Sequence, residues 1–169
     1  EKCELGDDVV TPLHLACRAS APLDIVQDMV ETDSKLAVSR SLLRGDTPLH
    51  YAVAAHAPST VKYLVERRPN AARIRSEPQG TFGNQVTPLH VAVSSHASPS
   101  IIKLLVNACP QSRFLRDGLG KTALSLAAEC YHGPHRKEVL LLLSYQRTRG
   151  SSWGFAVGLN ATVLALVVA

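Results

Sequence analysis

Seven histidines and four cysteines are the residues of this 169-residue chain that could hold a metal or carry out catalysis. A zinc site needs such ligands at close, fixed spacings that let them converge on one ion. Cys3, Cys17, Cys109 and Cys130 form no Cys-x-x-Cys pair and no Cys/His cluster of that kind. His132 and His135 flank Gly133-Pro134, a break that removes the fixed helical spacing of a strong ligand pair. His14, His50 and His90 occupy equivalent places in a repeated hexapeptide, and His56 and His96 recur six residues after the last two of these. A periodic arrangement suits a structural role, whereas an active site needs a single constellation. The chain has no glycine-rich phosphate loop, nucleophile elbow or paired-carboxylate motif. The expectation is therefore a protein with no metal, no cofactor and no catalytic residues. Unpaired cysteines at helical positions pack as small apolar groups and fit an intracellular, reducing compartment.

The elements that carry these residues are set by a repeat. Thr11-Pro12-Leu13-His14-Leu15-Ala16 recurs as Thr47-Pro48-Leu49-His50-Tyr51-Ala52 and as Thr87-Pro88-Leu89-His90-Val91-Ala92. Thr122-Ala123-Leu124-Ser125-Leu126-Ala127 is a degenerate fourth copy, and the spacings are 36, 40 and 35 residues. Threonine is a good N-cap, and proline fits the first helical position, where no amide hydrogen bond is lost. Leucine and alanine three apart then give a helix a small, close-packing side. A turn containing Pro22, Pro58 or Pro99 follows, and a second apolar helix is predicted over residues 23–30, 60–65, 101–106 and about 139–143. Helices this short are unstable alone, so neighbouring pairs must stack on a shared core.

This pattern resembles the ankyrin repeat family, whose signature is the same Thr-Pro-Leu-His-x-Ala. The resemblance covers residues 10–145 or so and implies an all-α, helix-turn-helix solenoid. It further implies that Thr11, His14, Thr47, His50, Thr87, His90 and Thr122 serve the repeat motif, the histidines also tying neighbouring repeats together. The chain departs from the family pattern in three respects. The first three inter-helix turns lack glycine, Arg68-Pro69-Asn70 or Cys109-Pro110-Gln111 replaces the usual Gly-Ala-Asp, and the inter-repeat loops are long. The expected organisation is a repeat domain over residues 1–149, with repeats near 11–46, 47–86, 87–121 and 122–149, and a tail over 150–169.

Rigid repeats with variable loops point to protein binding. The longest connector contains Glu77-Pro78-Gln79-Gly80-Thr81-Phe82-Gly83-Asn84-Gln85, with Phe82 a candidate anchor for a partner's pocket. Arg67, Arg68, Arg73 and Arg75 precede it with Glu66 as the only acid nearby, a basic strip suited to an acidic protein partner. Tyr51, on a first helix, is a further candidate. Nucleic acid is disfavoured, because the strip lacks interleaved aromatics and only 5% of the chain is aromatic. The formal charge of +4 hides an asymmetry: residues 1–46 hold 9 acids and 5 bases, and residues 47–169 hold 5 acids and 13 bases. Two blocks of opposite sign offer a partner on each face, or acids that simply solubilise the first repeat.

The C-terminal run starts at Trp153 and continues for 17 residues without a charge. Its anchoring candidates are Trp153, Phe155, Leu164 and Leu166, a hydrophobic helix being expected. With Arg147 and Arg149 before it, the run could enter a membrane, dock in a partner or complex, or cap the last repeat. The chain begins at Glu1 and its sole methionine is Met29, which leads to the expectation of a fragment or a processed chain.

Overall fold

A computed structural model describes residues 3–5, 8–42, 44–77 and 85–144, with only the backbone for residues before Val10. The hydrophobic tail, Phe82 and the middle of the longest loop lie outside the described residues.

Each Thr-Pro-Leu-His copy opens a helix at its proline: α1 is Pro12–Arg18, α3 is Pro48–Ala54 and α5 is Pro88–Ser94. The degenerate copy opens α7, Ala123–Cys130, with the Thr122 hydroxyl accepting from the Ser125 N–H at 3.2 Å. The partner helices are α2 (Leu23–Thr32), α4 (Pro58–Arg67), α6 (Pro99–Ala108) and α8 (Arg136–Ser144). All four are longer than the sequence reading predicts, and α4 and α6 gain their first residues because Pro58 and Pro99 belong to the helices and not to the turns. A proline in the first turn of a helix removes no intrahelical hydrogen bond.

The missing turn glycines have a structural answer. Ser20, His56 and His96 adopt the left-handed conformation at φ 51°, 54° and 55°. The amide after each reaches back five residues: Ala21 to Ala16 at 2.9 Å, Ala57 to Ala52 at 3.1 Å and Ala97 to Ala92 at 2.8 Å. The left-handed residue itself donates three residues back, to Cys17, Val53 and Val93. This is a Schellman C-cap built on residues that carry a Cβ, a conformation that costs such residues about 1 kcal/mol. The bonds satisfy the carbonyls that a helix C-terminus otherwise leaves open.

First helices stack on first helices in the order α1, α3, α5, α7, and second helices in the order α2, α4, α6, α8. Leu13, Leu49 and Leu89 are fully buried between them, and Ala16, Ala52, Ala92 and Ala127 allow the close approach. On the second layer, α4 buries Thr60, Val61, Leu64 and Val65, and α6 buries Ile101, Ile102, Leu105 and Val106 at the same helical spacing. One continuous core runs from Leu13 to Leu143.

Short 3-10 turns follow three of the second helices, at Leu36–Val38, Pro69–Arg73 and Pro110–Phe114. Beyond them the chain forms fingers closed at the base. The Ser41 N–H donates to the Asp46 carbonyl at 2.8 Å, Ser76 to Val86 at 2.8 Å, and Asp117 to Lys121 at 2.8 Å. The side-chain oxygens of Ser41, Ser76 and Asp117 accept the return bond from the N–H of Asp46, Val86 and Lys121. At Gly45 (φ 64°) an added Cβ would lie 2.5 Å from the Glu77 backbone, so the first two fingers meet where only glycine fits.

One element departs from the expected all-α class. An antiparallel ribbon of β1 (Cys3–Leu5) and β2 (Asp8–Val10) leads into α1, with Cys3 opposite Val10. Among the described residues no helix is long and apolar enough to cross a membrane.

Candidate basic interaction site

The motif histidines link one repeat to the next by the same geometry three times. In the first repeat the Thr11 N–H lies 3.2 Å from His14 Nδ1 and the Thr11 hydroxyl 2.7 Å from it, while Nε2 lies 3.0 Å from the Asp46 carbonyl. An amide only donates and a carbonyl only accepts, so Nδ1 must be bare and Nε2 must carry the proton. His50 repeats this with Thr47 and the Val86 carbonyl (3.2 Å), and His90 with Thr87 and the Lys121 carbonyl (3.1 Å). Each accepting carbonyl belongs to the residue just before the next threonine, so every histidine sets the start of the following helix. Burial pushes the His50 pKa down to about 4 and also lowers that of His90. Protonation would put a second donor against the Thr amide. These imidazoles are therefore structural and neutral.

The remaining chemistry-bearing groups are similarly occupied. Burial raises the Cys17 pKa to about 12, so it is a packed thiol and not a nucleophile. Cys130 Sγ donates to the Leu126 carbonyl at 3.0 Å, and Cys17, Cys109 and Cys130 are all free thiols. His132 is exposed, and His135 Nδ1 lies 3.6 Å from Glu138. Among the described residues no group of three or more His, Cys, Asp or Glu side chains could hold a metal.

The basic strip is where the surface carries charge. Arg67, the last residue of α4, and Arg68, which follows it, line a cavity of about 260 Å³ with Val30 and Glu31 of α2 and Ser34 just after that helix. Arg68 Nη2 donates to the Ser34 hydroxyl at 3.0 Å. The Arg67 guanidinium lies over the Tyr63 ring, 5.8 Å from its centre, and Nη2 is 3.4 Å from Glu31 Oε1. Glu66 is thus not the nearest acid to the strip. The stack supplies Glu31 from the preceding repeat, 36 residues away in sequence and on the neighbouring helix of the same layer. Both partners of this pair are more than half exposed, so it contributes little to stability.

Arg73 ends the intervening 3-10 turn, Arg75 lies beyond it, and neither is among the cavity's lining residues. Arg73 is exposed, and the Arg75 carbonyl accepts from Arg40, whose guanidinium also pairs with Glu77 at 3.0 Å. The four arginines therefore divide into a cavity pair and an outlying pair. Tyr51 packs its ring edge-on against His14, centroids 5.3 Å apart, which gives it a place in the stack. Phe82, Trp153, Phe155, Leu164 and Leu166 lie outside the described residues.

Ser34 and Glu31 escape a reading of the sequence because nothing in it shows which residue of one repeat faces Arg67 of the next. The one available signal was periodicity: both occur about one repeat length before Arg67 and Arg68.

Paired helices stacked in two layers, a Thr/His hydrogen-bond ladder and basal fingers define a helical repeat solenoid. A family model for ankyrin repeats in three copies matches residues 1–77, and one for a single ankyrin repeat matches residues 84–113. Together they cover well over half of the chain, which belongs to the ankyrin repeat family. A search of curated proteins returned no match. Ankyrin repeats mediate protein–protein interaction and are typically non-catalytic, and that general role is the chain's.

Proposed function

We propose that this chain is a non-catalytic adaptor that captures an acidic protein segment through Arg67 and Arg68, with Arg73 and Arg75 widening the basic surface. The observation that carries this reading is the open cavity in which two arginines and a hydroxyl converge at the junction of two repeats. The guanidinium forks are suited to carboxylates, and the excess of bases after residue 46 would steer an acidic partner toward them. Phe82 is proposed as an apolar anchor on the neighbouring loop, and the free thiols fit a reducing, intracellular setting. Charge reversal tests this: the pair Arg67→Glu and Arg68→Glu should reduce capture of an acidic peptide at least tenfold at low salt, with the difference shrinking as salt rises. Unchanged capture would reduce the strip to ordinary solvated surface.

A second reading concerns the tail. The 17 uncharged residues from Trp153, preceded by Arg147 and Arg149, favour tethering of the adaptor to a membrane, or a chain that is itself a structural subunit of a larger membrane protein complex, its tail in the bilayer and its repeats docked on a soluble face. Comparing the chain with and without residues 151–169 for partition into lipid vesicles tests it. Equal solubility of both forms removes the membrane reading.

A further inference from the structure

The fourth repeat carries apolar side chains where the earlier repeats carry cations. Leu141 of α8 holds the place of Lys62 in α4 and Lys103 in α6, each one residue after the buried Leu140, Val61 or Ile102. Phe114, which closes the third 3-10 turn, holds the place of Arg73 in the second. Leu141 is 43% exposed and Phe114 is 58% exposed. Residues 139–143 are an unbroken apolar run that rings α8, and a helix apolar all round is one that is covered on all sides. Helices α6 and α7 pack against it, and among the described residues no further helix pair follows.

We propose that the chain's own apolar run, residues 153–169, folds back onto this end of the fourth repeat and packs Trp153 against Phe114 and Leu141. The docking does not rest on the membrane reading of the tail, which the vesicle comparison tests separately. Arg113 links the two parts of the patch. Its guanidinium lies 5.7 Å from the centre of the Phe114 ring, and Nη1 donates to the carbonyl of Leu142, the neighbour of Leu141, at 3.4 Å. Phe114 is therefore held near the C-terminal end of α8, where residue 145 continues the chain.

Length and tethering favour this occupant over any other. Residues 145–152 separate α8 from Trp153. Fully extended they span up to about 28 Å, whereas α8 is only about 14 Å long, so the tail can return over the whole helix. A short tether holds a segment at an effective concentration on the order of millimolar, which a second copy or a foreign protein in dilute solution does not match. An uncharged run also suits a face that lacks the lysine and arginine of the repeats before it. Docking removes two apolar surfaces from water together.

Trp153 is the sole tryptophan, so its fluorescence reports on the tail alone. The test uses the whole chain in dilute, lipid-free buffer. Trp153 should emit at the short wavelengths of a packed indole and resist quenching by acrylamide, and dilution should change neither. The double variant Phe114→Gln and Leu141→Lys should move the emission to the red and raise quenching severalfold. Both side chains are exposed and lysine is the residue that α4 and α6 carry at this place, so the variant should keep its helical circular dichroism. Ile25→Lys, at a similarly exposed apolar site in the first repeat, should leave Trp153 unchanged. The emission of a water-exposed indole in the parent chain overturns the proposal, as does a packed indole that the double variant leaves unmoved. Short-wavelength emission that reddens on dilution also overturns it, and assigns the face to a second copy.

Discussion

The first three repeats and the fourth solve the same problem, holding a helix pair against its neighbour, with different bonds. His14, His50 and His90 each donate a hydrogen bond forward to the carbonyl just before the next repeat's threonine. In the fourth repeat Ser125 takes the histidine's place, and its hydroxyl lies 3.0 Å from Thr122 Oγ1 without leaving the motif. That repeat is held to the third by two other side-chain bonds, one donated from each side. The Tyr131 hydroxyl donates to the Ala97 carbonyl at 2.8 Å, and Arg113 Nη1 donates to the Leu142 carbonyl at 3.4 Å near the end of α8. Arg113 is 6% exposed and stands where the second repeat has Ala72. The histidine is thus kept where it couples repeats, and the fourth repeat is fastened by side chains outside the motif.

The largest expected effect follows from breaking the ladder in its middle. His50→Ala strands the Val86 carbonyl and the Thr47 amide and opens a cavity, and should cost about 2–4 kcal/mol in urea unfolding. Ser125→Ala, the same position in the fourth repeat, should cost well under about 1 kcal/mol, because only a local helix-start bond is lost. Similar losses at both sites would mean that the histidine does not couple repeats.

Acid should weaken the histidine-bearing repeats in particular. The folded His50 imidazole, with its pKa near 4, is harder to protonate than an unfolded one near 6.5. The unfolded chain therefore binds more protons, and stability falls as pH drops. The His50 contribution is complete above about pH 6.5 and is lost progressively toward pH 4, on the order of 3 kcal/mol. Urea midpoints measured across this range should show the slope, and His50→Gln should flatten it. A stability that holds level between pH 6.5 and 4 would refute a neutral, buried ladder.

A smaller effect belongs to the backward bond. Tyr131→Phe removes one buried hydrogen bond and should cost about 1–1.5 kcal/mol. Hydrogen exchange should rise in α7 and α8 while α3 and α4 stay protected, since solenoid repeats feel mainly their neighbours. Uniform acceleration along the chain would argue against that division.

How much of this was legible in sequence depends on whether the relevant contacts lie within a repeat or across repeats. The starts of α1, α3 and α5 were readable because threonine, proline and histidine act within four residues of one another. Turn prolines were harder: Pro58 and Pro99 mark a helix start as readily as a turn, and packing along α4 and α6 settles it. The left-handed Ser20, His56 and His96 were not legible, since the tertiary stack imposes a conformation those residues do not prefer locally. Burial of Arg113 depends on α8, whose Leu142 carbonyl it reaches 29 residues away. At the basic site the arginines stood out by type, but Glu31 and Ser34 join them only once two repeats are stacked. The ribbon of Cys3–Leu5 and Asp8–Val10 has too few residues for alternation to speak.

Recognition at the junction of the first two repeats is the proposal on which the adaptor reading depends. Backbone amide chemical shifts recorded while an amidated, glutamate-bearing peptide is titrated into the isotope-labelled chain test this most directly. The prediction is that saturable shifts cluster at Val30, Glu31, Ser34, Arg67 and Arg68, with α7 and α8 unmoved. Shifts confined to the first-helix layer around Tyr51 and Val91, or to the fourth repeat, would contradict it.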